Sequence, residues 1–196
     1  MFGRKKLRGI ERLEGKELLA CDVTFAGGVL DIACDGEDDL VNVFGFGGIL
    51  SVDTGDGLVP VGAASDLTDL NIDSGDGDDN VVLTTVDPSG DVDIDTGKGN
   101  DRVVMSLVNV GGDLDIRTEK GDDRVTFIGT SVGESVDVNT GKGDDTIEVL
   151  PFIFAPGLTA GDDIKLDGKQ GTDTLLGQSN IVVGDDLDIR RFEVFA

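Results

Sequence analysis

Val92-Asp93-Ile94-Asp95-Thr96-Gly97-Lys98-Gly99-Asn100-Asp101-Arg102-Val103 decides how this chain is built. Two apolar residues separated by one Asp end at a Gly-rich corner, and an apolar run resumes at Val103. Period-2 alternation sends Val92 and Ile94 to one side of a strand and Asp93 and Asp95 to the other. The same unit returns at Leu114/Ile116, followed by Gly121 and Val125, and at Val136/Val138, followed by Gly141-Lys142-Gly143-Asp144-Asp145-Thr146-Ile147.

Working outward, the apolar-x-apolar pair recurs at Leu30/Ile32, Leu50/Val52, Leu70/Ile72, Val92/Ile94, Leu114/Ile116, Val136/Val138, Ile164/Leu166 and Leu187/Ile189. The successive spacings are 20, 20, 22, 22, 22, 28 and 23 residues. A second apolar column starts at Val41, Val59, Val81, Val103, Val125, Ile147 and Leu175. A patchier third is seen at Val23/Phe25, Val108/Val110 and Ile181/Val183. A repeat of this length is too short for a βαβ unit, which needs about 30 residues. It fits two or three short strands joined by tight Gly corners. One such unit cannot bury its own apolar side, whereas a stack can. The expected fold is all-β: a parallel β-helix, or β-solenoid, of about eight coils at roughly 22 residues per coil. The acidic repeat domain spans residues 21–196, preceded by a basic segment, 1–20.

The chain has 196 residues, a formal net charge of −24, 30 Gly and no His, Trp or Tyr. At 38% hydrophobic residues it is too apolar for a disordered acidic tail. Residues 1–20 hold six Lys/Arg against three Glu, which leaves ten basic and 37 acidic residues in the rest. Such a body repels nucleic acid and anionic membranes, and its natural partners are divalent cations and basic groups. No apolar run approaches the roughly 18–20 residues of a membrane span.

The recurring corner is the one feature that carries chemistry. Gly75-Asp76-Gly77-Asp78-Asp79-Asn80-Val81, Gly97 to Val103 and Gly141 to Ile147 all read G-x-G-x-D-x-apolar. Partial copies over 35–41, 119–125 and 169–175 keep Asp39, Asp123 and Asp173, while Gly55-Asp56-Gly57-Leu58-Val59 has lost its terminal Asp. These residues resemble the repeats-in-toxin nonapeptide of calcium-binding parallel β-rolls. The resemblance implies calcium held by Asp39, Asp79, Asp101, Asp123, Asp145 and Asp173, together with Asp78, Asp122, Asp144 and the turn glycines Gly77, Gly99 and Gly143. It departs from that family in having Thr or Ser for the first Gly, and only one corner per 22-residue repeat.

Electrostatics leads to the same corner independently. Carboxylates stacked about 4.8 Å apart repel by roughly 3–4 kcal/mol at an effective dielectric near 20. Two further outward columns, Asp31/Asp93/Asp115/Asp137/Asp188 and Asp53/Asp73/Asp95/Asp167, are interrupted by Asn71 and Lys165, and by Arg117, Asn139 and Arg190. Relief comes from raised pKa values, basic neighbours, salt or a bound cation, and oxygen ligands suit calcium. The alternative is that Asp caps turn N–H groups and Gly supplies positive φ, with no ion involved. Both readings stand at this point.

Residues 8–19 suggest a short capping helix through Ile10, Leu13 and Leu18. The segment Ile10–Ala20, with Lys5-Lys6-Leu7-Arg8 before it, also resembles the LEPR-XLL sorting motif of exported bacterial proteins, with Gly15-Lys16 where that family has Pro-Arg. It implies a secreted or cell-surface protein. Leu18-Leu19-Ala20-Cys21 is not a lipoprotein box, because the apolar stretch such a box needs is absent. Cys21 reads as a small core residue, and in an exported chain a bridge to Cys34 is open. The insertion Pro151–Pro156 reads as a loop folded over one face, or as a partner patch. Arg190 and Arg191 read as charged guards of the last edge.

With no His, no Ser- or Cys-based constellation and short corners, the expected function is non-enzymatic. The chain is read as an exported structural or adhesion-type repeat protein that binds calcium at its stacked corners, its partner a cell-surface polymer or protein; the alternative is a purely structural acidic solenoid without specific metal binding. A β-helix enzyme acting on polysaccharide would need a groove with a placed acid and base. Ice binding is disfavoured, since Thr96, Thr118 and Thr140 are read as scattered among outward Asp columns.

Overall fold

The computed structural model of the chain describes residues 21–153 and 155–195. The proposed sorting or capping segment, 1–20, lies outside the described residues. Short strands of alternating burial, such as Asn80–Thr84 and Val92–Asp95, build three sheets. Two single-turn 3-10 segments, Ala64–Asp66 and Gln178–Asn180, are the only helical elements among the described residues. Among the described residues no helix is long and apolar enough to cross a membrane.

The first sheet stacks Val29–Ala33, Asp69–Asp73, Val92–Asp95, Leu114–Arg117, Val136–Asn139, Ile164–Asp167 and Leu187–Arg190, all parallel. Its register is unbroken: Leu30, Leu70, Val92, Leu114, Val136, Ile164 and Leu187 form one row. The second sheet aligns Val41, Val81, Val103, Val125, Ile147 and Leu175 in the same way. The third is shorter: Asn109–Val110, Thr130–Val132, Leu158–Ala160 and Ile181–Val183. The inward rows of all three meet in one core, which also takes Phe127 and Met105. No sheet closes on itself.

The repeat pattern fails at its second copy. Leu50 and Val52 do not join the row of Leu30 and Leu70. Instead Ile49–Asp53 folds back antiparallel on Leu40–Phe46, and Val59–Ala63 adds antiparallel beyond it. The row steps directly from residue 30 to residue 70, so the pattern counts one parallel unit too many. Local backbone explains the reversal. Gly47 and Gly48 both have positive φ, 61° and 79°, as a two-residue hairpin turn of the primed type requires. Gly27 and Gly28, at 64° and 93°, do the same. Asp22–Ala26 therefore pairs antiparallel with Val29–Ala33 and not with the third apolar column, where Val23/Phe25 was placed. Hairpins thus cover the N-terminal ends of the first two sheets, which protects edges that parallel stacking leaves open.

Cys21 and Cys34 form a disulfide, so Cys21 is both bridged and buried in the core. It continues the first hairpin by one residue, next to the Asp22↔Ala33 pair. In the 151–156 insertion, Phe152 and Ala155 exchange backbone hydrogen bonds of 3.2 and 2.7 Å in a tight turn. Phe152 is half-buried beside Gly129, while Ile153 stays exposed.

Candidate functional site

Each corner begins where a strand of the first sheet ends and closes where one of the second begins. Backbone bridges join Asp76, Lys98, Lys120, Lys142 and Gln170 in a parallel row, so the corners stack as regularly as the strands. The next glycine of each corner is obligatory. Gly99 (φ 140°) and Gly143 (φ 137°) occupy a region that side chains rarely adopt. A Cβ there would collide with the carbonyl of Gly77 or Gly121 in the neighbouring corner.

The two residues after that glycine point to opposite sides of the backbone. Asp39, Asp79, Asp101, Asp123, Asp145 and Asp173 turn inward and are at most 2% exposed. Their neighbours Asp38, Asp78, Asn100, Asp122 and Asp144 remain in solvent.

Both lines are ladders of carboxylate-to-amide bonds, and they run in opposite directions. On the inside, the N–H groups of Asp39, Asp79, Asp101, Asp123 and Asp145 donate to Oδ1 of the next inner Asp, at 2.7, 2.9, 2.9, 2.9 and 3.1 Å. On the outside, the N–H groups of Asp78, Asn100, Asp122, Asp144 and Thr172 donate backward to Oδ1 of Asp38, Asp78, Asn100, Asp122 and Asp144, at 2.7–2.9 Å. A third ladder clamps the other corner: Asp91, Asp113 and Ser135 donate to Asp69, Asp91 and Asp113. The corner amides are therefore satisfied by the adjacent repeat, as buried backbone N–H groups must be.

The inner carboxyls hold a second, unused oxygen. Oδ2 of Asp39, Asp79, Asp123, Asp145 and Asp173 is buried without a hydrogen-bond partner, whereas Oδ2 of Asp101 accepts from the Thr96 hydroxyl at 2.7 Å. Ser74 and Thr140 come near enough to Asp79 and Asp145 to hold their pKa values down, yet neither reaches good hydrogen-bond geometry. The Thr118 hydroxyl turns to the carbonyl of Thr140 at 3.0 Å. Burial is the main influence on this line and raises the pKa of every member. Asp39 and Asp123 are pushed up to about 7, and Asp101 and Asp145 to about 6, with the neighbouring carboxylates adding to the rise. Asp79 and Asp173 are raised as well.

The predicted site residues thus divide into two lines. Among the described residues one group of three potential metal ligands lies within 4.8 Å, namely Cys21, Cys34 and Asp39. Asp78, Asp79, Asp101, Asp122, Asp123, Asp144, Asp145 and Asp173 form no such group, and Gly77, Gly99 and Gly143 serve the close approach of the corners. Asp38 and Asn100 belong to the outer ladder, although the sequence pattern did not single them out. Thr96, Thr118 and Thr140 are fully buried, together with Ser74, and not scattered on an outward face. Their signal was the Ser/Thr that replaces the first Gly of the corner.

The outward columns are softened by bases. Arg117 reaches Asp93 at 3.2 Å and also contacts Asp115, and Lys165 reaches Asp137 at 2.5 Å. Asp167 keeps its place in the third column, between Asn139 and Arg190, but is buried and not outward. Desolvation would raise its pKa, but Lys169 at 3.0 Å and Arg191 at 2.6 Å hold it below the usual value. Asp53 belongs to no column and caps its own turn, accepting from Gly55 and Gly57 at 3.0 Å each. Asp31, Asp73, Asp93 and Asp95 line a shallow groove of about 280 Å³ with no basic residue in its wall. Comparison with protein-family models, curated proteins and solved structures gave no match.

Proposed function

We propose that the chain is a non-enzymatic structural β-solenoid, exported and used as a rigid acidic spacer or adhesion module. The observation that carries this reading is the pair of opposed ladders. Acidic residues at the corners serve the backbone of the next repeat, and among the described residues no three carboxylates converge on one point. Winding through the three sheets in turn accounts for the equal 22-residue steps of every row between residues 70 and 136. The disulfide supports an oxidising compartment, and an exposed acidic surface suits a basic partner on a cell-surface polymer or protein. The groove beside Asp93 does not favour catalysis, because it is shallow and the ionisable groups of its wall are all Asp, with no basic residue to hold an acidic substrate.

Calcium at the corners is the second reading. It is favoured by the five buried Oδ2 atoms that lack partners, and opposed by the absence of three convergent carboxylates among the described residues. Thermal melts of the full chain at fixed ionic strength, with calcium, magnesium or chelator, separate the two. Superimposable melts are expected of the ladder, and a rise specific to calcium would transfer the corners to metal binding. Small-angle scattering tests the winding: the solenoid requires an elongated particle, and a compact sphere would rule it out.

A further inference from the structure

Asp39 opens the inner ladder and differs from the rest of it. Each later member receives a backbone N–H on Oδ1 from the member before it, whereas none precedes Asp39. The Cys21 sulfur stands in that place, 3.7 Å from Asp39 Oδ1. Being disulfide-bonded, it has no proton to donate. Asp39 Oδ2 is buried and unpartnered too, so neither oxygen of a carboxyl that is 2% exposed receives a hydrogen bond. Asp35, Asp79, Asp38 and Glu37 surround it with further negative charge.

We propose that reduction of the Cys21–Cys34 bond turns this end of the fold into a site for a thiophilic divalent ion such as Zn²⁺, ligated by Cys21, Cys34 and Asp39. The three ligand atoms already lie within 4.8 Å of one another. A tetrahedral zinc ion with bonds of about 2.0–2.3 Å separates its ligands by roughly 3.3–3.8 Å, which the Cys21–Asp39 approach of 3.7 Å meets without movement. The freed sulfurs reach the same span by rotation about Cα–Cβ, and water fills the fourth position. In the reduction step a dithiol gives two electrons and two protons to the cysteine sulfurs and becomes a disulfide itself. Metal binding then releases the thiol protons. The ion holds together the same ends of Asp22–Ala26 and Val29–Ala33 that the disulfide holds, so the N-terminal hairpin stays clasped in either redox state.

Cobalt is the probe, since a sulfur-to-cobalt charge-transfer band reports thiolate ligation and is silent to carboxylate sites elsewhere on the chain. The full chain is reduced with a dithiol, freed of reductant under argon and titrated with Co²⁺, then with Zn²⁺. One cobalt per chain with a charge-transfer band is expected, displaced by zinc and absent from the oxidised protein. Cys21→Ser and Cys34→Ser should lose the band, and Asp39→Asn should weaken binding at least tenfold. X-ray absorption of the zinc-loaded wild type, which needs no variant to fold, should show two sulfurs and lighter ligands. An all-oxygen shell, no band after reduction, or undiminished binding by Asp39→Asn overturns the proposal.

Discussion

Replacing Asp123 by Asn should stabilise this protein at pH 8 and leave it unchanged near pH 4. Asp123 is buried, and its carboxyl is pushed up to about 7, first by desolvation and further by Asp101 and Asp145, against the pull of the Asp101 amide. A folded-state pKa above the unfolded value means that the native chain binds the extra proton. Its stabilising effect is full below the unfolded pKa of 3.8 and is lost as pH rises through about 7. A displacement of about three pKa units corresponds to about 4 kcal/mol, a ceiling because the stacked carboxyls titrate together. Asn keeps an oxygen for the Asp101 N–H, which donates to Asp123 Oδ1 at 2.9 Å, and removes the charge. At about 2–4 °C per kcal/mol for a chain of this size, the variant's melting temperature should exceed the wild type's by on the order of 10 °C at pH 8. The gain should vanish at pH 4. Urea unfolding of both proteins across pH 4–8 measures it. Wild-type stability that is flat or rising between pH 5 and 8 would refute the reasoning, as would an Asn variant that is weaker at pH 8.

Gly99→Ala should cost about 3 kcal/mol or more, since the new Cβ meets the Gly77 carbonyl at a φ of 140°, and a urea midpoint close to wild type would count against the stacking of the corners. Asp122→Ala removes the acceptor for the Asp144 N–H, an exposed bond of 2.9 Å, so a loss of about 1 kcal/mol is expected along with faster exchange of the Asp144 amide. Reduction of Cys21–Cys34 in chelator, which closes a loop with a sequence separation of 13, should lower stability by about 3 kcal/mol. Hydrogen exchange should then show the loosening confined to residues 22–33, and uniform loosening would contradict the hairpin's role as a local cap.

The rows of the first two sheets were legible because their inward residues, such as Val92/Ile94, are apolar on alternate positions and recur every 22 residues through the middle of the chain. The break at Leu50 was harder to see, since a hairpin strand in a half-buried sheet carries the same apolar-x-apolar signature as a parallel one. What separates them is turn chemistry, not hydropathy. Gly27-Gly28 and Gly47-Gly48 are two-residue links that only reverse a chain, and the missing Asp after Gly57 marked the same place. The side to which each corner Asp turns was not legible. Asp78 and Asp79 are identical in type, and only the pleat assigns one to solvent and the other to the core. The disulfide was hidden for a similar reason, because thirteen residues of separation say nothing until the hairpin aligns Cys21 beside Cys34.

Placing a carboxylate in the core is costly unless the alternative costs more. At each corner the chain leaves the strand ladder, and the N–H of the inner Asp has no carbonyl opposite it. A side chain from the next repeat must supply the acceptor or that amide remains orphaned. Asn would serve without charge, and the outer ladder does use Asn100 once, but the inner line is Asp at all six positions. Asp retains one option that Asn lacks: it takes up a proton. With pKa values raised to about 6–7 at four of the six positions, the line sheds part of its charge near neutrality and keeps every amide bond while doing so. The acidity of the corners is therefore explained by backbone need before any ion is invoked. Any cation that binds this line must compete with protons for the same Oδ2 atoms, and its affinity must fall as the pH is lowered from 8 to 5.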